Sequence, residues 1–272
     1  MSALVVPARV STSEGAVSTQ RDDLLVVEEP LEIRLGHGPE HDRREVRLSV
    51  TMRTPGHDED LVRGFLYTEG IVRDQTDLLR IAPCVNVKDE EQGNVIRAEL
   101  HPEVEVDPVR WQRNFYTTSS CGVCGKSSIE AVHVQCEKPI VPFGPVDQEM
   151  IIALPDRMRA AQTVFRHTGG IHAAALFNDQ GVLVLLREDV GRHNAVDKVI
   201  GAALLTGVPL RACQLLVSGR AGFELVQKCI VAGIPLMAAI GAPSSLAVQL
   251  AKESGLTLIG FLRGDRFNCY AP

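Results

Sequence analysis

From residue 171 onwards, short runs of consecutive apolar residues alternate with longer amphipathic stretches. The short runs predict buried strands and the amphipathic stretches predict helices. Strands are predicted at 171–177, 182–187, 214–217, 235–240 and 257–262, and helices at 194–205, 223–231 and 244–253. The first two strands are separated by the turn-forming residues 178–181, which predict a hairpin. This order predicts an α/β layered fold whose mostly parallel sheet carries one antiparallel hairpin.

The amino-terminal half has a less regular pattern. Residues 1–22 show no sustained period and predict a mobile tail. Strands are predicted at 24–27, 31–35 and 45–51, and a hairpin at 85–100. Helices are predicted at 57–70, from about 125 to about 133 or 136, and at 155–166. Prolines in 139–145 mark a link between lobes. We therefore divide the chain into a tail (1–22), an amino-terminal lobe (23–145) and a carboxy-terminal lobe (146–272).

Charge and composition narrow the classes of function. The chain has 272 residues, with 28 Lys and Arg against 34 Asp and Glu, and a net charge of −6. Proteins that bind nucleic acid by neutralising phosphates are usually strongly basic. No apolar run approaches the roughly 18 residues of a membrane span, and the first residues lack a signal-peptide core. We expect a cytoplasmic protein with no nucleic-acid and no membrane partner, although local basic clusters can hold a small phosphorylated ligand.

Two of the seven cysteines form a motif, Cys121-Gly122-Val123-Cys124. An odd number of cysteines in a long chain argues against a secreted disulfide framework. The predicted helix start and the charge of Lys126 would both favour the thiolate, which is the form that attacks sulfur. The pair is therefore a candidate for disulfide exchange or for carrying a persulfide. Two unrelated small residues are the simpler alternative.

The same two thiols also fit two zinc patterns. The first is a structural zinc site, whose ligands would be Cys121, Cys124, His133 and Cys136. Against it, His133 and Cys136 fall on an apolar stretch. A zinc deaminase would combine the two cysteines with His101-Pro102-Glu103, but Ser120 stands where that motif has a proline. A zinc-dependent nucleotide deaminase and a zinc-stabilised nucleotide-binding module therefore stay open as alternatives.

Three basic turns follow predicted strands of the carboxy-terminal lobe. Their charged and glycine residues are Arg192 and His193, Gly219 and Arg220, and Arg263 and Arg266. Ligands of parallel α/β sheets gather at the carboxyl ends of the strands, so these turns should converge. Helix starts and glycines suit phosphate, but the motifs match neither the P-loop nor the dinucleotide fingerprint. The turns predict a polyanionic, nucleotide-like ligand. His167 and His172 lie on either side of Gly169 and Gly170, and we assign a catalytic role to neither.

Several long segments resemble the FdhD family of sulfur-carrier proteins required for formate dehydrogenase. The resemblance runs from about residue 24 to the end of the chain. The matching segments are YTEGI at 67–71, SSCGVCGK at 119–126, FRHTGGIHAAAL at 165–176, REDVGRHNAVDKVIG at 187–201, VSGRAGFELVQK at 217–228, GIPLMAAIGAPSSLAV at 233–248 and GFLRGDRFNCY at 260–270. The family usually ends in a Tyr-Thr pair, where this chain has Tyr270-Ala271.

The resemblance implies a specific function and site. Family members accept sulfur as a persulfide from a cysteine desulfurase and pass it to the molybdenum cofactor bis(molybdopterin guanine dinucleotide), which formate dehydrogenase then receives. By position, Cys121 would carry the persulfide and Cys124 would assist or resolve it, with no resident metal. The cofactor, or a guanine nucleotide as its surrogate, would bind Phe261, Leu262, Arg263, Gly264, Asp265 and Arg266. A homodimer is implied, with a cytidine-deaminase-like three-layer α/β core, a mixed sheet and a smaller β-rich amino-terminal lobe.

Overall fold

The computed structural model describes residues 4–15, 17–105, 140–141 and 144–272. In these residues the strands are β1 (Val5–Glu14), β2 (Val17–Val26), β3 (Glu29–His37), β4 (Arg44–Arg53), β5 (Leu78–Pro83), β6 (Val95–Leu100), β7 (His172–Phe177), β8 (Leu183–Asp189), β9 (Gln214–Val217), β10 (Leu236–Ala239), β11 (Thr257–Arg263) and β12 (Arg266–Ala271). The α-helices are α1 (Asp58–Thr68), α2 (Gln148–Ala161), α3 (Thr163–Thr168), α4 (Arg192–Thr206), α5 (Phe223–Val231) and α6 (Ser245–Ser254). None of these helices has the length and apolar character of a membrane span.

The carboxy-terminal sheet has six strands in the order β12-β11-β10-β9-β7-β8. Strands β9, β10 and β11 run parallel, whereas β7 runs antiparallel to both of its neighbours. One face is covered by residues of α4, α5 and α6, such as Val196, Val226 and Ala251. The other face is covered by α2, through Ile151 and Leu154. The expected three-layer α/β core with a mixed sheet is confirmed.

The amino-terminal sheet is smaller, with the order β4-β3-β6-β5. Alternate residues of β3 point into its core, so Leu31, Ile33 and Leu35 are buried while Glu32 and Arg34 between them are partly exposed. Helix α1 covers this face with Leu61 and Leu66. The β-rich amino-terminal lobe expected from the resemblance is confirmed.

The prediction of a mobile tail at 1–22 is wrong, because most of these residues form two paired strands. Strands β1 and β2 pair from Val5–Val26 to Glu14–Val17 in an antiparallel hairpin. Both faces are largely exposed, so the alternation that identifies a half-buried strand is missing from the sequence. The two strands are instead linked by hydrogen bonds between polar side chains, such as the hydroxyls of Ser11 and Ser18, which are 2.9 Å apart.

Other predicted elements shift or are incomplete. The hairpin placed at 85–100 is formed by β5 and β6, so its first strand ends at Pro83, and Val85 is exposed. The helix placed at 155–166 begins earlier, because the Asp147 carboxylate caps α2 and Pro155 is accommodated inside it. Strand β12 was not predicted. The helix predicted from about residue 125 lies outside the described residues.

Helices α1 and α4 join the two sheets at a very close crossing. A Cβ atom added at Gly64 would lie 1.9 Å from the Asp197 carbonyl oxygen, and one at Gly201 would lie 1.9 Å from that of Asp60. Only glycine allows these backbones to approach so closely. The crossing therefore fixes how the amino-terminal sheet sits on the carboxy-terminal one.

Candidate functional site

A cavity of about 550 Å³ opens at the edge of the carboxy-terminal sheet where β8, β9, β10 and β11 end. Each strand end contributes to its wall, through Val190, Ser218, Ile240 and Arg263. This is the edge where the sequence predicts ligand binding. The mixed topology places the start of β7, with His172, at the same edge.

The rest of the lining comes from α2, α3 and the glycine turn that follows them. Its residues are Pro155, Asp156, Met158, Arg159, Gln162, Phe165, Gly169, Gly170 and Ile171. The guanidinium carbon of Arg159 lies 4.0 Å from the centre of the Phe165 ring, so the two groups stack. This wall was missed by sequence reasoning, because Gln162 and Asp156 belong to no motif. The neighbouring RHTGGIH segment was the available signal.

The residues that the resemblance assigns to the cofactor span the end of β11, the turn at 264–265 and the first residue of β12. Leu262, Arg263 and Gly264 line the cavity, and the Arg263 side chain is exposed to solvent. Phe261 has φ of 53°, a left-handed conformation that is strained for a bulky residue. Its amide donates to the Gly241 carbonyl oxygen at 3.0 Å, which helps to hold that conformation. Asp265 is exposed and lies outside the lining.

His172 is a neutral polar group in the cavity. Its burial, together with the positive charge of Arg192, lowers the pKa of His172 below the ordinary value of 6.5. The Ser218 hydroxyl accepts a hydrogen bond from the Ala173 amide at 2.9 Å and lies 3.4 Å from His172 Nδ1. A neutral imidazole keeps one N–H and one acceptor nitrogen, so it can pair with either kind of ligand group.

The remaining predicted phosphate contacts are near the cavity but do not line it. Arg192 acts on His172 electrostatically, and His193 Nε2 pairs with Glu224 Oε2 at 2.8 Å. Arg220 is exposed, and Gly219 packs beside the His172 ring. Arg266 is exposed at the start of β12. The structure thus brings the three basic turns to one edge, with Leu262, Arg263 and Gly264 in the wall itself.

Much of the charged segment 187–198 instead joins the two lobes. Lys198 Nζ lies 2.7 Å from Asp189 Oδ2 and donates to the Thr54 carbonyl oxygen at 2.8 Å. Arg187 pairs with Asp60 at 2.9 Å. The same residue types, Lys, Arg, Asp and Glu, occur both in buried ion pairs and on solvated surfaces. The sequence alone therefore could not tell which of these charges are buried.

A second buried cluster lies close to this one. Lys228 Nζ contacts Asp197 Oδ2 at 3.0 Å and Glu69 Oε1 at 2.9 Å. Although burial opposes the charge, these two carboxylates raise the pKa of Lys228. The Thr68 hydroxyl donates to Asp197 at 2.8 Å. The cluster holds the lobes together, and its residues are not among those that line the cavity.

The predicted thiol site lies outside the described residues, as do Cys121, Cys124, His133 and Cys136. Of the deaminase pattern, His101 and Glu103 are described: they follow β6 without entering a helix, and their side chains are 3.9 Å apart. Across the ranges described, no three His, Cys, Asp or Glu side chains are grouped as metal ligands.

Comparison with known proteins identifies the family. The model of the FdhD/NarQ family matches residues 26–272. The chain belongs to the FdhD/NarQ family. Among its relatives are proteins named sulfur carrier protein FdhD: one from Streptomyces coelicolor is 53% identical over 95% of this chain and 90% of its own length. Those from Mycobacterium tuberculosis (51%, covering 92% and 90%) and Thermoplasma volcanium (42%, covering 92% and 88%) are similar.

A solved structure supports the fold of this FdhD/NarQ chain. A crystal structure from Desulfotalea psychrophila matches with a TM-score of 0.75 and covers 99% of this chain and 98% of that one. The two sequences are 24% identical, so the likeness concerns the fold. The resemblance drawn from the motifs is therefore confirmed as family membership.

Proposed function

We propose that this protein is a sulfur carrier that takes persulfide sulfur from a cysteine desulfurase and delivers it to the molybdenum cofactor bis(molybdopterin guanine dinucleotide). The observation that supports this most strongly is the 53% identity, over 95% of the chain, with a sulfur carrier protein FdhD. Formate dehydrogenase is the acceptor of the sulfurated cofactor. The carrier works in the cytoplasm, as a homodimer.

Loading occurs at Cys121. The Cys121 thiolate attacks the terminal sulfur of the donor persulfide, a new S–S bond forms, and the donor cysteine leaves as a thiolate. The flanking Gly122 and Gly125 leave room for a bulky donor. No external oxidant or reductant is needed, because the sulfur moves between two cysteines at the same oxidation level.

Delivery requires two electrons if the carried sulfur is to leave as sulfide. The Cys124 thiolate supplies them by attacking Cys121 Sγ: the bond to the terminal sulfur breaks, sulfide is released to the cofactor, and Cys121 and Cys124 form a disulfide. A dithiol reductant then reduces this disulfide by thiol–disulfide exchange, is itself oxidised to a disulfide, and restores the pair. This reaction gives Cys124 its resolving role.

The cofactor is a substrate, and the cavity suits its nucleotide ends. Arg263 offers a charged guanidinium, which binds phosphate oxygens strongly. The backbone of Gly169 and Gly170 lines the same space with no side chain in the way. Neutral His172 adds a hydrogen-bonding group without the desolvation of a charge.

The loading step can be tested directly. The purified protein is incubated with a cysteine desulfurase and cysteine, and the peptide that contains residues 121–124 is analysed by mass spectrometry. We expect one added sulfur atom on wild type and on Cys124→Ala, and none on Cys121→Ala. Cys84→Ala, outside the motif, is the matched cysteine control and should load as wild type. Sulfur retained on the Cys121→Ala peptide, or stoichiometric zinc bound by the two thiols, would contradict the proposal.

A further inference from the structure

Glu188, near the end of β8, reaches a different part of the molecule from its two neighbours. Successive side chains of a strand point to opposite faces of the sheet. Arg187 and Asp189 point toward the amino-terminal lobe, where they contact Asp60 and the Thr54 amide. The Glu188 carboxylate lies on the other face, against the start of α3. It is therefore outside the network that joins the lobes.

The carboxylate of Glu188 caps the first turn of α3. Its Oε2 accepts from the amides of Thr163 at 3.0 Å and Val164 at 2.9 Å, and its Oε1 accepts from the Phe165 amide at 2.9 Å. The Thr163 hydroxyl also donates to Oε2, at 3.3 Å. The first amides of a helix have no partner within it, and here the Gln162 side chain supplies no cap. A residue from a strand later in the chain satisfies them instead.

Helix α3 depends on such an anchor more than a longer helix would. It has six residues, of which Val164 is the buried one. Helices this short are not stable on their own, so tertiary contacts decide where they lie. The chain is extended at Gln162, before α3, and left-handed at Gly169, after it, so neither neighbour continues the helix.

The same segment forms part of the cavity lining. Phe165, Gly169 and Gly170 belong to the lining, and the Phe165 ring stacks on Arg159 of α2. Phe165 is thus a lining residue whose own amide is held by Glu188. Glu188 is not itself in the lining. It can act on a ligand only through the position of the wall segment, residues 163–170.

We propose that Glu188 is a positioning residue: by capping α3, it holds the wall segment in the conformation that binds the cofactor. This rests on the proposed function, which places the cofactor in the cavity. A carboxylate suits the role because a charged acceptor binds amides more strongly than a neutral one, and its two oxygens span three successive amides. Without it, the wall segment is in place for part of the time, and the affinity falls by that fraction.

Hydrogen exchange and calorimetry on the full chain test this assignment, with GDP as the probe. In Glu188→Ala, the amides of 163–165 should exchange about 10-fold faster than in wild type, because the lost cap shifts the local opening equilibrium. GDP should bind about 3- to 10-fold more weakly. Saturating GDP should then restore much of the protection in the variant, since the ligand selects the ordered wall segment. A cap that serves stability alone would show no such restoration.

Asp147→Ala is the matched control. Asp147 caps α2 with the same chemistry, since its Oδ1 accepts from the amides of Glu149 at 3.0 Å and Met150 at 3.2 Å, and it lies outside the lining. Its loss should speed exchange at the start of α2 and leave GDP affinity within about 2-fold of wild type.

Glu188→Gln is the second variant, and it carries the test if Glu188→Ala fails to fold. It keeps one acceptor oxygen, so at least one of the three capped amides loses its partner. Exchange at 163–165 and GDP affinity should both fall between those of wild type and Glu188→Ala.

The outcomes distinguish this inference from the proposed function. If wild type binds GDP but Glu188→Ala binds it equally well, or GDP restores no protection at 163–165, the positioning role is wrong and the cofactor site stands. Unchanged exchange at 163–165 in Glu188→Ala would also show that the carboxylate does not hold α3. If wild type binds no guanine nucleotide, the cofactor part of the proposed function is contradicted, and this inference with it. Sulfur loading of Cys121 is unaffected by any of these results.

Discussion

Lys198 forms a buried ion pair with Asp189. Its side chain is 1% exposed and the paired Asp189 is 0% exposed, with 2.7 Å between them. Asp189 also accepts from the Gly191 amide at 2.8 Å and from the Asn194 side chain at 3.0 Å. A buried charge that loses its partner has no solvent to replace it.

Lys198→Met should therefore lower the free energy of unfolding by about 3–5 kcal/mol. Asp189→Asn should cost a comparable amount, and the double variant should recover part of the loss because no unpaired charge is left behind. Urea unfolding measures all three. Lys252→Met, on the exposed side of α6, is the control and should stay within about 0.5 kcal/mol of wild type. Additive losses in the double variant would show that the two charges do not act as a pair.

His172 gives a pH signature. Burial and Arg192 lower its pKa below 6.5 in the folded chain. Just below pH 6.5 the unfolded chain binds a proton that the folded chain does not, so the free energy of unfolding falls as pH drops. His172→Gln removes this loss. The stability of wild type relative to the variant should shrink between about pH 8 and about pH 5 in urea unfolding. A relative stability that grows toward acid would contradict the lowered pKa.

At the scale of elements, the backbones of α1 and α4 cross in close contact at Gly64 and Gly201. Gly64→Ala and Gly201→Ala would each place a methyl group 1.9 Å from a backbone carbonyl oxygen. We expect each to lower the free energy of unfolding by about 3 kcal/mol or more, because a backbone cannot move aside as a flexible side chain does. Thermal and urea unfolding measure this. The control, Gly222→Ala, at the start of α5, adds its methyl group where no atom of the described residues lies within 4 Å and should be nearly neutral.

Which elements the sequence predicts depends on how they are buried. Strand β9 and helix α5 were predicted at their observed bounds, since an apolar run and an amphipathic stretch are each enclosed by turn residues. Strands β1, β2 and β12 are exposed on much of both faces and carry no such pattern. An exposed hairpin of this kind is defined by the hydrogen bonds between its two strands. The alternation of apolar and polar residues carries no information about those bonds.

The candidate site shows the same limit. The sequence predicts the edge of the sheet and Arg263, because basic turns after strands are visible as motifs. It does not predict Gln162, which is buried in the cavity lining and belongs to no motif. It also assigned phosphate binding to Arg192 and His193, close to residues that join the lobes. Tertiary packing decides which charges meet a ligand.

For the whole molecule, ligand binding at one edge should stabilise the entire fold. GDP should raise the Tm of wild type with concentration, because a ligand that binds only the folded chain shifts unfolding by mass action. Arg263→Ala should weaken GDP binding by about 10-fold or more, since it removes a charge-assisted contact. Arg220→Ala, exposed and outside the lining, should have the smaller effect. Equal effects would place the phosphates elsewhere along the edge.

In the proposed function, the thiol of Cys121 carries sulfur and the cavity holds the cofactor that receives it. The most direct test follows labelled sulfur in one turnover: protein loaded with ³⁵S by the desulfurase is mixed with the molybdenum cofactor, and the label is measured in each fraction. We predict transfer by wild type, no loading of Cys121→Ala, and loading without efficient transfer for Arg263→Ala. Label that reaches the cofactor equally well from Cys121→Ala would contradict the account.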